Sequence, residues 1–394
     1  MANAIVFLYV LVAAAQSTIT TALFTVTTQE EYEENFDAKI LFLKDPVGAE
    51  FSCEHLPPRS IPANTVHELR PDDIKVVAAM GDSITAGFYA RSTYFWQIIE
   101  YTGVSWSIGG YLKNATMSAT IPNFLEFYNA DVKGASMSFR PPLPCISIES
   151  QNNLNVAMSG STSGLLMKQA MNMKKIMERR SDINIDEDWK LITLWIGGND
   201  LCFSCVEGIT TPFCDFDNIT VENFLKDVEE ALVYLKDNVP KAFVNLVNVV
   251  DVTLLREIQG HEGCPKESPC YCLNEGTLHE MAIEMQNGMS ELAAKGSLTT
   301  DTFTVVLQPF FEEMALPPDP VSYFAPDCFH FSTKGHATAA VSLWNNMLEP
   351  VGHKSTGFQS LEAKCPSKEN VIHLELLLLH QQKQRRRSER SKKE

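Results

Sequence analysis

The stretch that decides the fold is residues 74–86, which read Ile-Lys-Val-Val-Ala-Ala-Met-Gly-Asp-Ser-Ile-Thr-Ala. The apolar run from Val76 to Met80 stops at Gly81-Asp82-Ser83, a pattern typical of a buried strand that ends in a tight turn. Open α/β sheets bind their ligands at the carboxyl ends of the strands. Ser83 is therefore a candidate nucleophile at the rim of a sheet.

From Ile74 onward, short apolar runs alternate with amphipathic stretches. Strands that are apolar on both faces and alternate with helices predict a mostly parallel sheet with helices on both sides. We therefore expect a single three-layer α/β/α domain over residues 74–350. Its predicted strands are Ile74–Met80, Leu154–Met158, Trp189–Ile196, Ala242–Val250 and Phe303–Gln308, and its predicted helices are Ser163–Arg179, Val221–Lys236, Leu278–Ala294 and Gly335–Leu348. Residues 104–150, rich in glycine, proline and aromatics, are predicted as an elaborated loop region over the site.

The segments on either side of this domain have their own signatures. Residues 1–15 contain an apolar run that ends in small residues, which predicts a secretory signal peptide; a buried N-terminal strand is the alternative. Residues 16–73 are acidic and rich in turn formers, and we expect an N-terminal extension that wraps on the domain and is tied down through Cys53. Residues 351–394 form a C-terminal segment with a basic tail. No later stretch reaches the about 20 apolar residues that a transmembrane helix needs.

The charge is unevenly distributed along the chain. The formal net charge is −17, yet the last fourteen residues, Gln381 to Glu394, hold seven Lys/Arg and only two Glu. The rest of the chain is therefore more acidic still, which argues against nucleic acid as a partner. The tail is either a solvated end or a contact for an anionic lipid surface.

The ten cysteines also fit an exported protein. An even number of cysteines behind a signal peptide predicts up to five disulfides, with a pairing that the sequence leaves open. The alternative prediction for Cys202, Cys205 and Cys214 is that they are part of a zinc site. The triplets Asn114-Ala115-Thr116 and Asn218-Ile219-Thr220 are glycosylation sequons, which agree with secretion.

A nucleophilic serine needs a base, and the best candidate lies near the end of the predicted domain. Asp327 and His330 are three residues apart on a loop that enters the last predicted helix. That spacing lets the carboxylate hold the imidazole Nδ1 and leaves Nε2 to face Ser83. Taken alone, an Asp-x-x-His quartet is also found in ordinary surface loops.

Two further turns offer donors for the oxyanion that forms during attack on an ester. Gly160 lies in a glycine-containing turn, where a backbone N–H can approach a substrate closely. Asn199, in the run Gly197-Gly198-Asn199-Asp200, presents a side-chain amide. The simpler readings are turn geometry for Gly160 and a local capping bond for Asn199. The pentapeptide Gly-x-Ser-x-Gly does not occur, which disfavours the usual α/β-hydrolase arrangement.

Gly81-Asp-Ser-Ile-Thr85, Gly160, Gly197-Gly-Asn-Asp200 and Asp327-x-x-His330, in this order, resemble the four signature blocks of the GDSL or SGNH hydrolases. The segments 69–83, 107–110, 197–202, 328–331 and 343–351 resemble more closely the membrane-associated phospholipase B branch. The likeness extends from about residue 50 to Cys365. It implies the SGNH-hydrolase fold.

The resemblance also implies roles for individual residues. Ser83 is expected to be the nucleophile, His330 the base and Asp327 the residue that orients it. The amides of Ser83 and Gly160 and the side chain of Asn199 are expected to form the oxyanion hole, with neither a metal nor another cofactor. Phe88, Tyr89, Tyr94 and Phe95 are candidates for the lining of an acyl channel or for ordinary core.

The expected function is that of a secreted, monomeric serine ester hydrolase that cleaves fatty acyl esters of phospholipids or lysophospholipids. Peripheral contact with a lipid surface fits this expectation. One alternative keeps the chemistry but changes the substrate to acylglycerols, retinyl esters or acetylated sugars. The other is an inactive lipid-binding scaffold, which predicts the loss of at least one catalytic element.

Overall fold

The computed structural model describes residues 43–142, 144–146, 153–206, 214, 216–358 and 360–366. The predicted signal peptide, the first part of the predicted N-terminal extension and the basic tail lie outside the described residues. The domain boundaries expected at residues 74 and 350 stay predictions.

Within the described residues, four parallel strands form the central sheet. They are β1 (Ile74–Gly81), β2 (Trp189–Trp195), β3 (Ala242–Val247) and β4 (Phe303–Gln308), and they lie side by side in this order. Every residue of β2 and of β3 is buried, so both faces of the sheet are covered. Near-continuous apolar strands are what a parallel sheet between helical layers requires. The predicted α/β class with a mostly parallel sheet is therefore confirmed.

The described helices around this sheet are α1 (Ser83–Ala86), α2 (Ile121–Tyr128), α3 (Leu166–Arg179), α4 (Gly198–Phe203), α5 (Val221–Asn238), α6 (Leu278–Ala293) and α7 (Thr333–Leu348). Five of them form two groups. Helix α3 contacts α5, which in turn contacts α6, while α2 contacts α7. Asn245 of β3 points toward the second group, because its Nδ2 atom lies 3.2 Å from Sδ of Met347. Short 3-10 helices occupy Val66–Glu68, Pro71–Asp73, Thr102–Val104, Tyr111–Lys113, Ser163–Leu165, Val252–Glu257, Gly296–Leu298 and Pro320–Tyr323.

The predicted strand Leu154–Met158 is wrong as a regular strand. The segment follows β1 in parallel and forms a single bridge, between Asn155 and Ala79. The N–H of Val156 donates to the carbonyl of Ala79 at 3.0 Å, as in a regular parallel pair, but the ladder is interrupted one step later, because the N–H of Gly81 donates to Oε1 of Gln169 at 2.8 Å. A side-chain acceptor from α3 therefore replaces the carbonyl of Val156, which would be the next acceptor in a regular parallel ladder.

Residues 104–150 are not only loop, because α2 lies within them. Its N-cap is Thr120, whose hydroxyl accepts a hydrogen bond from the N–H of Asn123, and Pro122 occupies the first turn. An N-cap threonine and a proline in the first turn are both recognised signals for the start of a helix, and both are visible in the sequence. Other boundaries shifted by a few residues, and the largest shifts are at two places: the strand predicted to end at Val250 ends at Val247, and the helix predicted from Ser163 starts with a 3-10 turn before α3.

All ten cysteines form disulfides, which confirms the expected number of bridges. Cys53–Cys365 ties the described part of the N-terminal extension to the C-terminal segment. Cys202, Cys205 and Cys214 each belong to a bridge, so the zinc alternative does not match this structure. The remaining pairs are Cys145–Cys214, Cys202–Cys270, Cys205–Cys272 and Cys264–Cys328. Within the described part of the chain, no helix combines the length and the apolar character that crossing a bilayer requires.

Candidate active site

Ser83 is the first residue of α1, directly after β1. The carboxylate of Asp82 caps this helix by accepting a hydrogen bond from the N–H of Ile84 at 2.9 Å. The cap and the helical turn fix the direction in which the chain leaves the sheet, and Ser83 is buried there. The hydroxyl therefore occupies a defined position at the carboxyl edge of the sheet.

His330 and Asp327 meet this hydroxyl from a loop at the other end of the domain. Nε2 of His330 lies 2.7 Å from Oγ of Ser83, and Nδ1 lies 2.5 Å from Oδ2 of Asp327. The second carboxylate oxygen of Asp327 accepts hydrogen bonds from the backbone N–H groups of Phe329 and His330 at 3.1 and 3.0 Å. The loop is closed by a hydrogen bond of 2.7 Å from the N–H of Ala325 to the carbonyl of His330.

The electrostatics of Asp327 suit a residue that holds an imidazole ring. Burial alone raises the pKa of the Asp327 carboxyl, but the adjacent His330, its ring hydrogen bond and the two backbone N–H donors outweigh burial. The pKa therefore lies below its usual range. An ionised carboxylate fixes the tautomer in which Nδ1 carries the proton and Nε2 can accept one from the serine.

One candidate oxyanion donor, Gly160, lies on a turn near Ser83, and the other, Asn199, lies in the first turn of α4. Gly160 has φ +76°, and the N–H of Met158, two residues earlier, donates to the carbonyl of Gly81 at 3.2 Å. Asn199 lines the same pocket as Ser83 and donates from Nδ2 to the carbonyl of Ser161 at 2.9 Å. This bond reaches 38 residues back along the chain, so it is not a local cap. The second proton of the Asn199 amide stays available to a ligand.

An apolar pocket opens beside Ser83. Next to the polar Ser83 and Asn199, its walls are mostly aliphatic and aromatic. Such a wall suits a hydrocarbon chain whose ester group is held at the polar end. The apolar lining includes Ile84, Val252, Leu255, Met314, Phe329 and Phe331.

The family model for GDSL-like lipases and acylhydrolases matches residues 77–343. The chain belongs to this family. The expected resemblance to GDSL hydrolases is therefore confirmed, and the matched residues include Ser83, Gly160, Asn199, Asp327 and His330.

Among curated relatives, the GDSL chain is similar to the membrane-associated phospholipase B1 of two rodents and of human. It is 40% identical to the Mus musculus protein over 343 residues, which is 81% of this chain and 22% of that protein. The Rattus norvegicus protein matches equally, and the Homo sapiens protein is 38% identical over 349 residues, 81% of this chain and 23% of that protein. This chain therefore spans about a fifth of the length of these relatives. A crystal structure from Parabacteroides merdae, described as GDSL-like, aligns with a TM-score of 0.38 at 18% identity over 68% of this chain and 94% of that one; this likeness is too weak to add to the assignment.

One residue that supports the GDSL turn was not predicted from the sequence. Gln169 of α3 is fully buried, and its side chain accepts from the N–H of Gly81 and donates to the carbonyl of Gly81, both at 2.8 Å. It also donates to Oγ of Ser161 at 3.0 Å. Gln169 therefore joins the nucleophile turn to the turn of Gly160. In the sequence it is one polar residue of an amphipathic helix, with no signal that sets it apart.

Gly81 itself shows why the GDSL motif begins with glycine. Its φ is +150°, and a Cβ at this position would lie 2.2 Å from the carbonyl oxygen of Trp195 at the end of β2. No residue with a side chain fits so close to a neighbouring strand. The glycine therefore permits the tight exit from β1 that precedes Ser83.

A buried ion pair supports the turn of Gly160 from the other side. Glu100 is fully buried, pairs with Arg140 and accepts a hydrogen bond from Oγ of Ser159 at 2.5 Å. Nη2 of Arg140 also donates to the carbonyl of Ala157 at 2.7 Å. Ser159 and Arg140 lie 59 and 40 residues from Glu100 along the chain, so no sequence spacing predicts these contacts.

Proposed function

We propose that this chain is a secreted serine ester hydrolase that cleaves fatty acyl esters of phospholipids or lysophospholipids, with Ser83 as nucleophile, His330 as base and Asp327 as its orienting partner. The observation that carries the proposal is the distance of 2.7 Å between Oγ of Ser83 and Nε2 of His330. A serine hydroxyl becomes nucleophilic when a positioned base removes its proton during attack.

The reaction follows from this geometry. Oγ of Ser83 attacks the ester carbonyl while Nε2 of His330 takes the hydroxyl proton, and the carboxylate of Asp327 stabilises the resulting imidazolium. The N–H groups of Ser83 and Gly160 and the amide of Asn199 donate to the oxyanion. His330 then protonates the leaving alcohol, which departs from an acyl-enzyme. Water, deprotonated by His330, attacks the acyl-enzyme and releases the fatty acid, with Ser83 restored.

Two observations support a lipid substrate. The pocket beside Ser83 has mostly apolar walls, as a fatty acyl chain requires. The curated relatives that this chain matches are named phospholipase B1. Secretion is supported by the five disulfides, which persist in oxidising compartments. We further propose that the enzyme acts as a monomer and needs neither a metal nor another cofactor.

A fluorophosphonate probe tests the nucleophile. The purified protein should be labelled and should cleave esters, and Ser83→Ala should abolish both. Ser290→Ala is a matched control, because Ser290 lies on α6 and its hydroxyl donates only to the carbonyl of Gln286 in the same helix. Labelling that persists in Ser83→Ala would place the nucleophile elsewhere.

A substrate panel separates the alternatives. Long-chain lysophospholipid should be cleaved faster than an acylglycerol, a retinyl ester or a short acetyl ester. A clear preference for the acetyl ester would favour the esterase alternative. Binding of lysophospholipid without turnover by the intact protein would favour the inactive scaffold.

A further inference from the structure

Three consecutive aromatic residues are exposed on one loop. Tyr94, Phe95 and Trp96 are 36%, 56% and 68% exposed. The rings of Tyr94 and Trp96 stack on each other at 4.4 Å with their planes 6° apart, so they form one continuous apolar surface. Exposed apolar clusters of this kind mark protein or membrane contacts, whereas single exposed apolar residues are common. We refer to residues 92–98 as the aromatic loop.

The aromatic loop is held in shape by its own hydrogen bonds. The side-chain oxygen of Gln97 accepts from the N–H groups of Thr93 and Tyr94 at 2.7 and 2.9 Å, and the hydroxyl of Ser92 donates to the carbonyl of Gln97 at 2.7 Å. Gln97 is itself buried. The turn therefore presents its three rings outward from a preformed base, so their ordering adds little entropic cost when they meet a partner.

The aromatic loop adjoins the proposed active site. The hydroxyl of Tyr89 donates to the carbonyl of Phe95 at 2.7 Å. The ring of Tyr89 lies 6.0 Å from that of Phe95 on one side and 6.2 Å from that of His330 on the other. One buried tyrosine thus separates the exposed aromatics from the imidazole that contacts Ser83.

The charge around the aromatic loop differs from that of the whole chain. The chain carries −17, yet between residues 83 and 99 the only charged side chain is Arg91. Nε of Arg91 donates to the carbonyl of Lys44 at 3.0 Å, which brings a second cationic residue to this region. Glu100, the next acid, is buried and paired with Arg140. Residues 83–99 therefore lack the acidic side chains that would repel a phosphate-bearing surface.

We propose that the aromatic loop is a membrane-docking element, which inserts Tyr94, Phe95 and Trp96 into the interface of a phospholipid bilayer beside the proposed active site. Tyrosine and tryptophan favour the boundary between headgroups and acyl chains, and the phenylalanine ring favours the apolar side of it. Docking here brings the bilayer to the entrance of the pocket that holds Ser83. The proposal rests on the lipid substrate proposed above.

Vesicle binding tests the docking directly. The full chain carrying Ser83→Ala, which leaves lipid intact, is mixed with phosphatidylcholine vesicles whose acyl chains are brominated. Of the five tryptophans, Trp96 is exposed and the other four are buried, so quenching by bromine reports on the aromatic loop. We expect the protein to co-sediment with the vesicles and its tryptophan fluorescence to be quenched. Adding Phe95→Ser and Trp96→Ser should weaken vesicle binding by at least about tenfold.

Two control variants sharpen the result. Trp96→Phe should retain most of the binding but lose the quenching. Ile61→Ser removes an equally exposed apolar side chain, 69% exposed, close in sequence to Ala63, whose carbonyl accepts from Nε1 of Trp189 at the start of β2. That is the end of the sheet opposite Ser83, so this variant should bind vesicles like the parent. Equal binding by the parent and the Phe95→Ser/Trp96→Ser variant would overturn the proposal.

Two further measurements distinguish the remaining outcomes. In the active enzyme, the ratio of activity on vesicles to activity on a dissolved short-chain ester should fall about tenfold in Phe95→Ser/Trp96→Ser. Light scattering could instead show that the parent is a dimer and that these substitutions dissociate it, while vesicle binding stays unchanged. That result would assign the surface to contact with a second copy and overturn the proposal. If the protein with an intact Ser83 cleaves no ester, only the proposed function is overturned. Vesicle binding by the Ser83→Ala variant does not depend on catalysis and still tests the docking.

Discussion

The Oγ atom of Ser83 lies 2.7 Å from Nε2 of His330, although 247 residues separate the two along the chain. Ser83 follows the first strand of the sheet, and His330 lies just before the last helix. Their contact depends on the whole parallel sheet between them. Changes to this site therefore divide into those that remove a reacting group and those that disturb the turns that position it.

Asp327→Asn removes the carboxylate and keeps the shape of the side chain. The neutral amide no longer stabilises the imidazolium and favours the wrong tautomer of His330, so we expect kcat to fall by about 10⁴. The measurement is kcat on a dissolved ester, with circular dichroism to verify folding. A folded variant that loses less than tenfold would show that Asp327 does not orient the base.

Asn199→Ala removes one proposed oxyanion donor. We expect kcat to fall by about 10²–10³ with a much smaller change in KM, because the oxyanion exists only near the transition state. Asn238→Ala is the control, since its Nδ2 donates only to the carbonyl of Tyr234 near the end of α5. Equal kinetics in the two variants would exclude Asn199 from the oxyanion hole.

Gly81→Ala tests the tight exit from β1. The new Cβ would lie 2.2 Å from the carbonyl oxygen of Trp195, at a φ of +150°, so we expect the free energy of unfolding to fall by more than about 3 kcal/mol. Gly260→Ala is a matched control: its φ is +88° and nothing lies within 4 Å of the added Cβ, so only backbone strain of about 1 kcal/mol remains. Urea unfolding compares the two, and similar losses would contradict a packing constraint at Gly81.

His336 makes folding sensitive to acid. Burial, with a smaller contribution from the nearby His330, lowers its pKa to about 3. An unfolded histidine titrates near about 6.5, so between about pH 6.5 and 3 the unfolded chain holds a proton that the folded chain does not. Stability therefore falls as the pH falls through this window, by about 2 kcal/mol at pH 5.

His336→Asn should remove this acid-dependent loss. Its side-chain oxygen can accept the hydrogen bond that Nδ1 of His336 accepts from the N–H of Trp106 at 3.3 Å. Burial raises the pKa values of Asp82 and Asp200 to about 6, which acts in the opposite direction, but both residues are present in both proteins and cancel. Urea unfolding at pH 7.5 and 5 gives the difference. An equal loss of stability in parent and variant would contradict the assignment to His336.

Local features of the fold and of the candidate site could be predicted from the sequence. The apolar run that ends at Gly81 predicted β1 and its turn, and the spacing of Asp327 and His330 predicted a carboxylate within reach of the imidazole. Such contacts span at most a few residues, so the residue types and their spacing are enough to define them. The predicted strand Leu154–Met158 failed for the opposite reason, because the N–H of Gly81, which would continue its pairing with β1, donates to the side chain of Gln169, 88 residues away along the chain.

The sequence by itself determined the alternation of strands and helices, the order of the motifs and the local geometry of each turn. Only the tertiary structure decided which cysteines pair, that Gln169 holds Gly81, and that Glu100 supports the turn before Gly160. It also decided that Tyr94, Phe95 and Trp96 face outward next to the site. These relationships join residues far apart in the chain, and the order of strands in the sheet brings them together, whereas no local spacing encodes that proximity.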